Sequence, residues 1–113
     1  MSYPLSQGNT PLRHYHTTYT KDPDSVWPYT IDWDPILPHG DAIDTATTTA
    51  YIYGSTTEEA TDITVDSTSS TDRTTTTVLS AGLADTSYDI TVHVVTDAGY
   101  EADRTILINC RHE

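Results

Sequence analysis

The sequence predicts an all-β fold: a sandwich of two packed sheets built from about seven strands, preceded by an extended N-terminal arm. Three observations lead there. Around Asp89–Thr96 the residues alternate, with Tyr88, Ile90, Val92 and Val94 on one face and Asp89, Thr91 and His93 on the other; this two-residue period marks a half-buried strand. Segments rich in Thr, Val and Ile recur at short intervals between Gly, Ser, Asp and Pro spacers, the pattern of an all-β domain. No stretch carries a helical period, so helix should be close to nil.

In chain order, Tyr29–Trp33 is the first strand of the body, and Gly40-Asp41 makes the turn before the next. Asp41–Tyr53, with Ile43 and Ile52, reads as one long strand, and Ile63-Thr64-Val65 as a short one. Thr74–Ser80 is a run of Thr ending in Val78 and Leu79, and the β-branch of Thr suits the pleat. A glycosylated stalk is the other reading of such a run, but Pro is missing from it. Tyr88 opens the strongest strand, Thr96-Asp97-Ala98-Gly99 is a hairpin connection, and Arg104–Cys110 is the last strand, with Ile106, Ile108 and Cys110 inward. Residues 1–27 are then the arm and 28–113 the sandwich. Cys110 reads as a buried thiol rather than a nucleophile or an interchain bridge.

Composition alone points elsewhere. Leu, Ile and Val fill 20 of 113 positions, Phe is absent, Thr and Ser number 23 and 9, and the net charge is -12; few aliphatics with a large charge is the usual signature of disorder. The alternation overrides it. The charge is also unevenly placed: residues 1–30 are neutral, residues 31–103 hold 14 acids against Arg73 alone, and residues 104–113 carry a net +1. Such an acidic body argues against binding nucleic acid or an anionic membrane. No apolar run is long enough to cross a bilayer, and the N-terminus lacks the zones of a signal peptide.

The arm, counted with the three residues that follow it to Thr30, holds four of the eight Tyr and four of the six Pro residues. Its lack of period predicts extended backbone ordered by a partner, with Tyr3, Arg13, His14, Tyr15, His16, Tyr19 and Trp27 as the contacting residues, since aromatics and Arg are enriched at protein interfaces. The plainer alternative is a frayed end whose aromatics lie on the domain's own surface.

His14 and His16 share a face if extended, a spacing metals use. Asp32, Asp34, Asp41 and Asp44 cluster near one loop, and Asp97, Glu101 and Asp103 near another, where calcium would find oxygen ligands. Neither cluster has the spacing of a known calcium loop, and no nucleophile elbow or HExxH frames a catalytic site. The expectation is no metal, no cofactor and no enzymatic activity.

Two resemblances narrow the class. Leu83-Ala84-Asp85-Thr86-Ser87-Tyr88 precedes the strongest strand, and Val78–Ile108 resembles the last three strands of an immunoglobulin or fibronectin-III domain, where a Tyr at the start of the penultimate strand locks the corner between sheets. In that reading Leu83 is a core anchor and Tyr29, Trp33, Tyr88, Ile90, Val92 and Ile106 are structural, with Trp33 capping the sandwich end. The antibody Cys pair is missing. Lys21-Asp22-Pro23-Asp24-Ser25-Val26, Tyr29-Thr30-Ile31-Asp32-Trp33, Leu37 and Gly40-Asp41-Ala42-Ile43 resemble the opening of the phage fibre–tail adaptor family. Departures are Trp27-Pro28, Asp34-Pro35 and the long arm. That resemblance implies a structural virion protein in a symmetric multi-copy assembly, with tail, fibre or capsid proteins as partners. A fibre–tail adaptor is the first expectation and a capsid decoration protein the second. A host-carbohydrate adhesion module using Tyr51, Tyr53 and Tyr100 is the third.

Overall fold

The computed structural model describes residues 15–54 and 59–112, with only the backbone of Tyr15 and His16. Seven strands follow one another: β1 (Tyr15–Lys21), β2 (Trp27–Asp32), β3 (Ile43–Ile52), β4 (Ile63–Ser70), β5 (Thr74–Ala81), β6 (Thr86–Thr96) and β7 (Glu101–Cys110). They form two sheets, β1-β7-β6-β3 and β2-β5-β4, and no helix occurs among the described residues. Every pairing is antiparallel except β1 with β7. The order is consistent with an immunoglobulin-type sandwich, in which strands two, five and four face strands three, six and seven.

The sheet begins inside the segment expected to be arm. β1 pairs in parallel with β7 from Tyr15↔Thr105 to Lys21↔Cys110. Its inward row is Thr17, Tyr19 and Lys21, a polar-looking set that hides the two-residue period. Tyr19 nonetheless packs edge-to-face on Tyr29, ring centres 4.9 Å apart. Trp27, also assigned to the arm, opens β2.

The core lies between the sheets, where Ile31, Leu79, Ile90, Val92, Val94, Ile106 and Ile108 are all at most 2 % exposed. The Thr run of β5 alternates as well, with Thr75 and Thr77 buried. Their hydroxyls are satisfied inside: Trp33 Nε1 donates to Thr75 Oγ1 (2.9 Å), and Thr77 Oγ1 bonds Thr48 Oγ1 (3.0 Å), which also accepts from Thr68 Oγ1 (2.8 Å). Buried hydroxyls without such partners would cost about 1–3 kcal/mol each. Threonine here serves both as strand former and as a hydrogen-bonded core residue. Cys110 is buried as expected, and burial pushes its thiol pKa up against the opposing charge of Lys21.

A cation secures each end of the sandwich. At one end Lys21, 1 % exposed, donates from Nζ to the carbonyls of Asp22 (3.0 Å), Ser25 (2.7 Å) and Ala81 (2.7 Å). This ties the β1–β2 turn, and with it the first sheet, to the end of β5 in the second. Ala81 adopts φ 62°, a left-handed conformation that costs a non-glycine residue energy, and the lysine bond offsets part of that. Gly82 follows with φ +100°, and a Cβ there would lie 2.7 Å from Cys110 Sγ, so only glycine fits. Tyr88 Oη accepts the Leu83 N–H at 3.0 Å, the corner bond anticipated from sequence. Leu83 itself is not a core anchor: its side chain is 55 % exposed, because the corner uses its backbone. At the other end Arg73 donates to the carbonyls of Asp41 (2.9 Å), Leu37 (3.2 Å) and Asp34 (3.4 Å) and pairs with the Asp34 carboxylate. Trp33, fully buried beneath Arg104 at 5.7 Å, closes that end.

Lys21→Met should therefore lower stability by about 3 kcal/mol by leaving three carbonyls without their donor. Thermal unfolding would read this as a fall of roughly 12–24 °C. Tyr88→Phe, which removes the Leu83 bond and the hydroxyl's bond to the Asp62 carboxylate, should cost about 1–3 kcal/mol.

Candidate functional site

The large hydrophobic side chains left exposed among the described residues divide between the two ends of the sandwich. Val26, Trp27, Ile52, Tyr53 and Leu83 lie at the Lys21 end, and Ile36 and Tyr100 at the Arg73 end. None lies midway along a strand.

At the Lys21 end, Trp27 falls on the same face of β2 as buried Tyr29 and Ile31. Its position at the strand terminus, beyond the cover of the opposite sheet, leaves it 61 % exposed beside Val26 at 59 %. The turn beneath is closed by its own hydrogen bonds. Asp22 O accepts Ser25 N–H (3.0 Å) and Ser25 Oγ (2.8 Å), and Asp22 Oδ1 accepts Asp24 N–H (2.8 Å). Trp27, Tyr19, Tyr29, Thr20, Lys21, Asp22 and Ser25 line an open cavity of about 270 Å³. Aromatic walls with a backbone-saturated floor suit an apolar side chain from a protein partner.

At the Arg73 end a second cavity, about 250 Å³, is lined by Ile36, Leu37, Pro38, Val94, Thr96, Tyr100, Glu101 and Ala102. The β2–β3 loop presents Ile36 because Trp33 O accepts the N–H groups of both Ile36 (3.0 Å) and Leu37 (3.2 Å), which turns Leu37 inward and Ile36 out. Asp41 joins this loop to the β6–β7 hairpin, its Oδ1 accepting Ala42 N–H (2.9 Å) and Ala98 N–H (3.1 Å). The Thr96 hydroxyl, these two N–H groups and the charge of Arg73 hold the Asp41 carboxyl below its ordinary pKa. The two patches are separated by the length of β2, whose six residues span about 20 Å.

Of the residues expected to contact a partner, Tyr3, Arg13 and His14, and the side chains of Tyr15 and His16, lie outside the described residues. Tyr19 and Trp27 line the same cavity. Several of the clustered acids are used structurally: Asp32 Oδ1 accepts Asp34 N–H (3.0 Å), Asp34 pairs with Arg73, and Glu101 and Asp103 flank His93. Tyr53 and Tyr100 lie at opposite ends, so the three tyrosines considered for carbohydrate do not converge on one groove. Ile36 and Val26 were missed as surface residues. The apolar Ile36-Leu37 pair between Pro35 and Pro38 was the available signal, since an apolar pair in a proline-bounded loop has one member left for solvent.

Charge on the four-stranded sheet is concentrated at His93 in β6. Its Nδ1 bonds Asp103 Oδ1 at 2.5 Å and its Nε2 bonds Glu101 Oε1 at 2.9 Å, both across the hairpin in β7. The Asp103 bond first, then Glu101, raises the His93 pKa above 6.5.

Two comparisons with known proteins bear on these surfaces. A family model described as Podophage GP4 fiber-tail adaptor protein gp77 matches residues 21–109. No curated protein matches the chain.

Because the folded-state pKa of His93 is raised, its contribution to stability is complete below pH 6.5 and is lost as pH rises through the raised value. The imidazole resonances should titrate above 6.5, and Asp103→Asn should return the midpoint toward it. An unchanged midpoint in that variant would show that Asp103 is not the dominant partner.

Proposed function

Matched over residues 21–109, the chain belongs to the podophage fiber-tail adaptor family, and we propose that it works as a non-enzymatic joint between two other virion proteins, one at each end of the sandwich. The observation that carries this reading is the sorting of exposed apolar side chains to the two ends. A joint needs two separate adhesive surfaces on a stiff body, and large exposed apolar patches mark such surfaces. The family supplies the kinds of partner, tail and fibre, without saying which meets which end.

The sides suit the same role. The outer positions of β3 and β4 are hydroxyl-rich and exposed at Thr45, Thr47, Ser67 and Ser69, and the body carries nearly all of the net charge. Such a surface resists unplanned association in a crowded particle. β1 begins midway along β7, with Tyr15 beside Thr105, and in this reading the residues before it form a third contact.

Trp27→Ala and Tyr100→Ala should each leave the melting temperature within about 2 °C, since both side chains are mainly exposed. Each should abolish binding to a different partner, tail protein or fibre, in pull-downs with purified components. Loss of the same partner in both variants would refute the two-ended joint. Copy number in intact particles separates the tail from the shell: a small fixed number per tail fits an adaptor, whereas a number scaling with capsid area fits a decoration protein.

A further inference from the structure

Four strands form the lateral edges of the sheets: β1 and β3 in one, β2 and β4 in the other. Three carry devices that stop an edge from recruiting another strand. β2 contains Pro28 and ends in Asp32. β3 has an irregular register around Asp44, and its far end is covered where Tyr51 bridges Glu59 and Ala50 O accepts Ala60 N–H (2.9 Å). β4 is irregular around Asp66. β1 has neither proline nor carboxylate, and its one irregularity is confined to the step from Tyr15 to Thr17. Its lysine, buried and turned inward, does not guard the edge.

The pairing of β1 with β7 determines which backbone groups remain available. Lys21 O accepts Arg111 N–H at 3.0 Å, so Lys21 directs its backbone groups toward β7, and alternation places those of Tyr19 and Thr17 the same way. The N–H and C=O of Thr18 and Thr20 therefore point out of the sheet. Both residues are exposed, and among the described residues nothing bonds these outward groups.

Charge selects the occupant. In a chain of net charge -12, two copies meeting through β2, β3 or β4 would set Asp against Asp, while residues 1–20 contain neither Asp nor Glu. We infer that β1 is a self-pairing edge: two copies of the chain join β1 to β1, antiparallel about a two-fold axis, with Thr18 of each opposite Thr20 of the other. Each such pair exchanges two backbone hydrogen bonds, and the threonine side chains meet as favourable cross-strand neighbours. Tyr19 faces its own copy across the axis. The two four-stranded sheets become one continuous sheet, and an isologous contact of this kind closes without forming filaments. The seam runs beside the cavity that Tyr19 and Thr20 help to line.

The test is sedimentation of the full chain, with proline substitutions at the outward positions. The wild type should be dimeric, with affinity rising as salt screens the repulsion between two acidic bodies. Thr18→Pro and Thr20→Pro each remove only an outward N–H, so the β1–β7 ladder and the melting temperature should persist while dimerisation weakens at least about 100-fold. Thr18→Val, which keeps the backbone donor, should remain dimeric. Amide hydrogen exchange gives an independent readout on the wild type: Thr18 and Thr20 should be protected at high concentration and lose protection on dilution. A wild type that stays monomeric at roughly 100 μM in high salt, a dimer that survives both proline variants, or protection that is independent of concentration would each overturn the inference. The last result would mean that another part of the same chain covers the edge.

Discussion

A single buried ammonium governs how the two sheets of this sandwich meet. Taking a lysine out of water costs several kcal/mol, and Lys21 recovers it through three bonds to carbonyls, two in the β1–β2 turn and one at the end of β5. Charge-assisted bonds of this kind are about twice as strong as neutral ones. Because the acceptors are backbone oxygens, the arrangement depends on the path of the chain and not on any one partner side chain. It shapes the β1–β2 turn, holds Ala81 in its left-handed conformation and sets Gly82 against Cys110. The Tyr88 corner bond then forms one residue further on. The opposite end repeats the device with Arg73, whose donors reach three carbonyls of the β2–β3 loop.

With both ends held by backbone-directed cations, apolar residues can remain exposed there without loosening the fold. The Trp27 and Tyr100 surfaces sit on turns whose own hydrogen bonds are satisfied, which limits the conformational entropy that binding must remove. The long sides are hydroxylated and acidic, apart from the uncharged edge of β1. Stickiness is thus confined to the two ends and one seam, an arrangement that suits a small part joining larger ones in a family of adaptors.

Much of this was legible in residue order. The inward rows of β6 and β7 follow directly from Ile90-Val92-Val94 and Ile106-Ile108-Cys110, and all are buried. The Tyr88 corner was visible because its chemistry is local, five residues from its partner. β1 was not visible, since its inward row includes Thr17 and Lys21, and a lysine at a core position reads as solvent-facing until its three acceptors are in place. Leu83 misled for the related reason that side-chain type says nothing about which residues contribute backbone alone. The Thr74–Thr77 run showed a strand but not its polarity. Uniform threonine has no alternating pattern, and only Trp33 and Thr48 reveal which hydroxyls turn inward.

Sequence by itself determined the all-β class, six of the seven described strands, the inward faces of the strongest strands and the concentration of negative charge in the body, all of which depend on neighbours along the chain. Tertiary structure alone decided that the first strand joins the sheet in parallel with the last, that Lys21 and Arg73 bind the ends, and that exposed aromatics collect where the strands stop. Those outcomes depend on groups brought together from distant positions: Lys21 meets Ala81, and Arg73 meets Asp34. A buried charge is tolerable only where folding has already placed its acceptors, so neither its position nor the surface it frees can be read from local pattern.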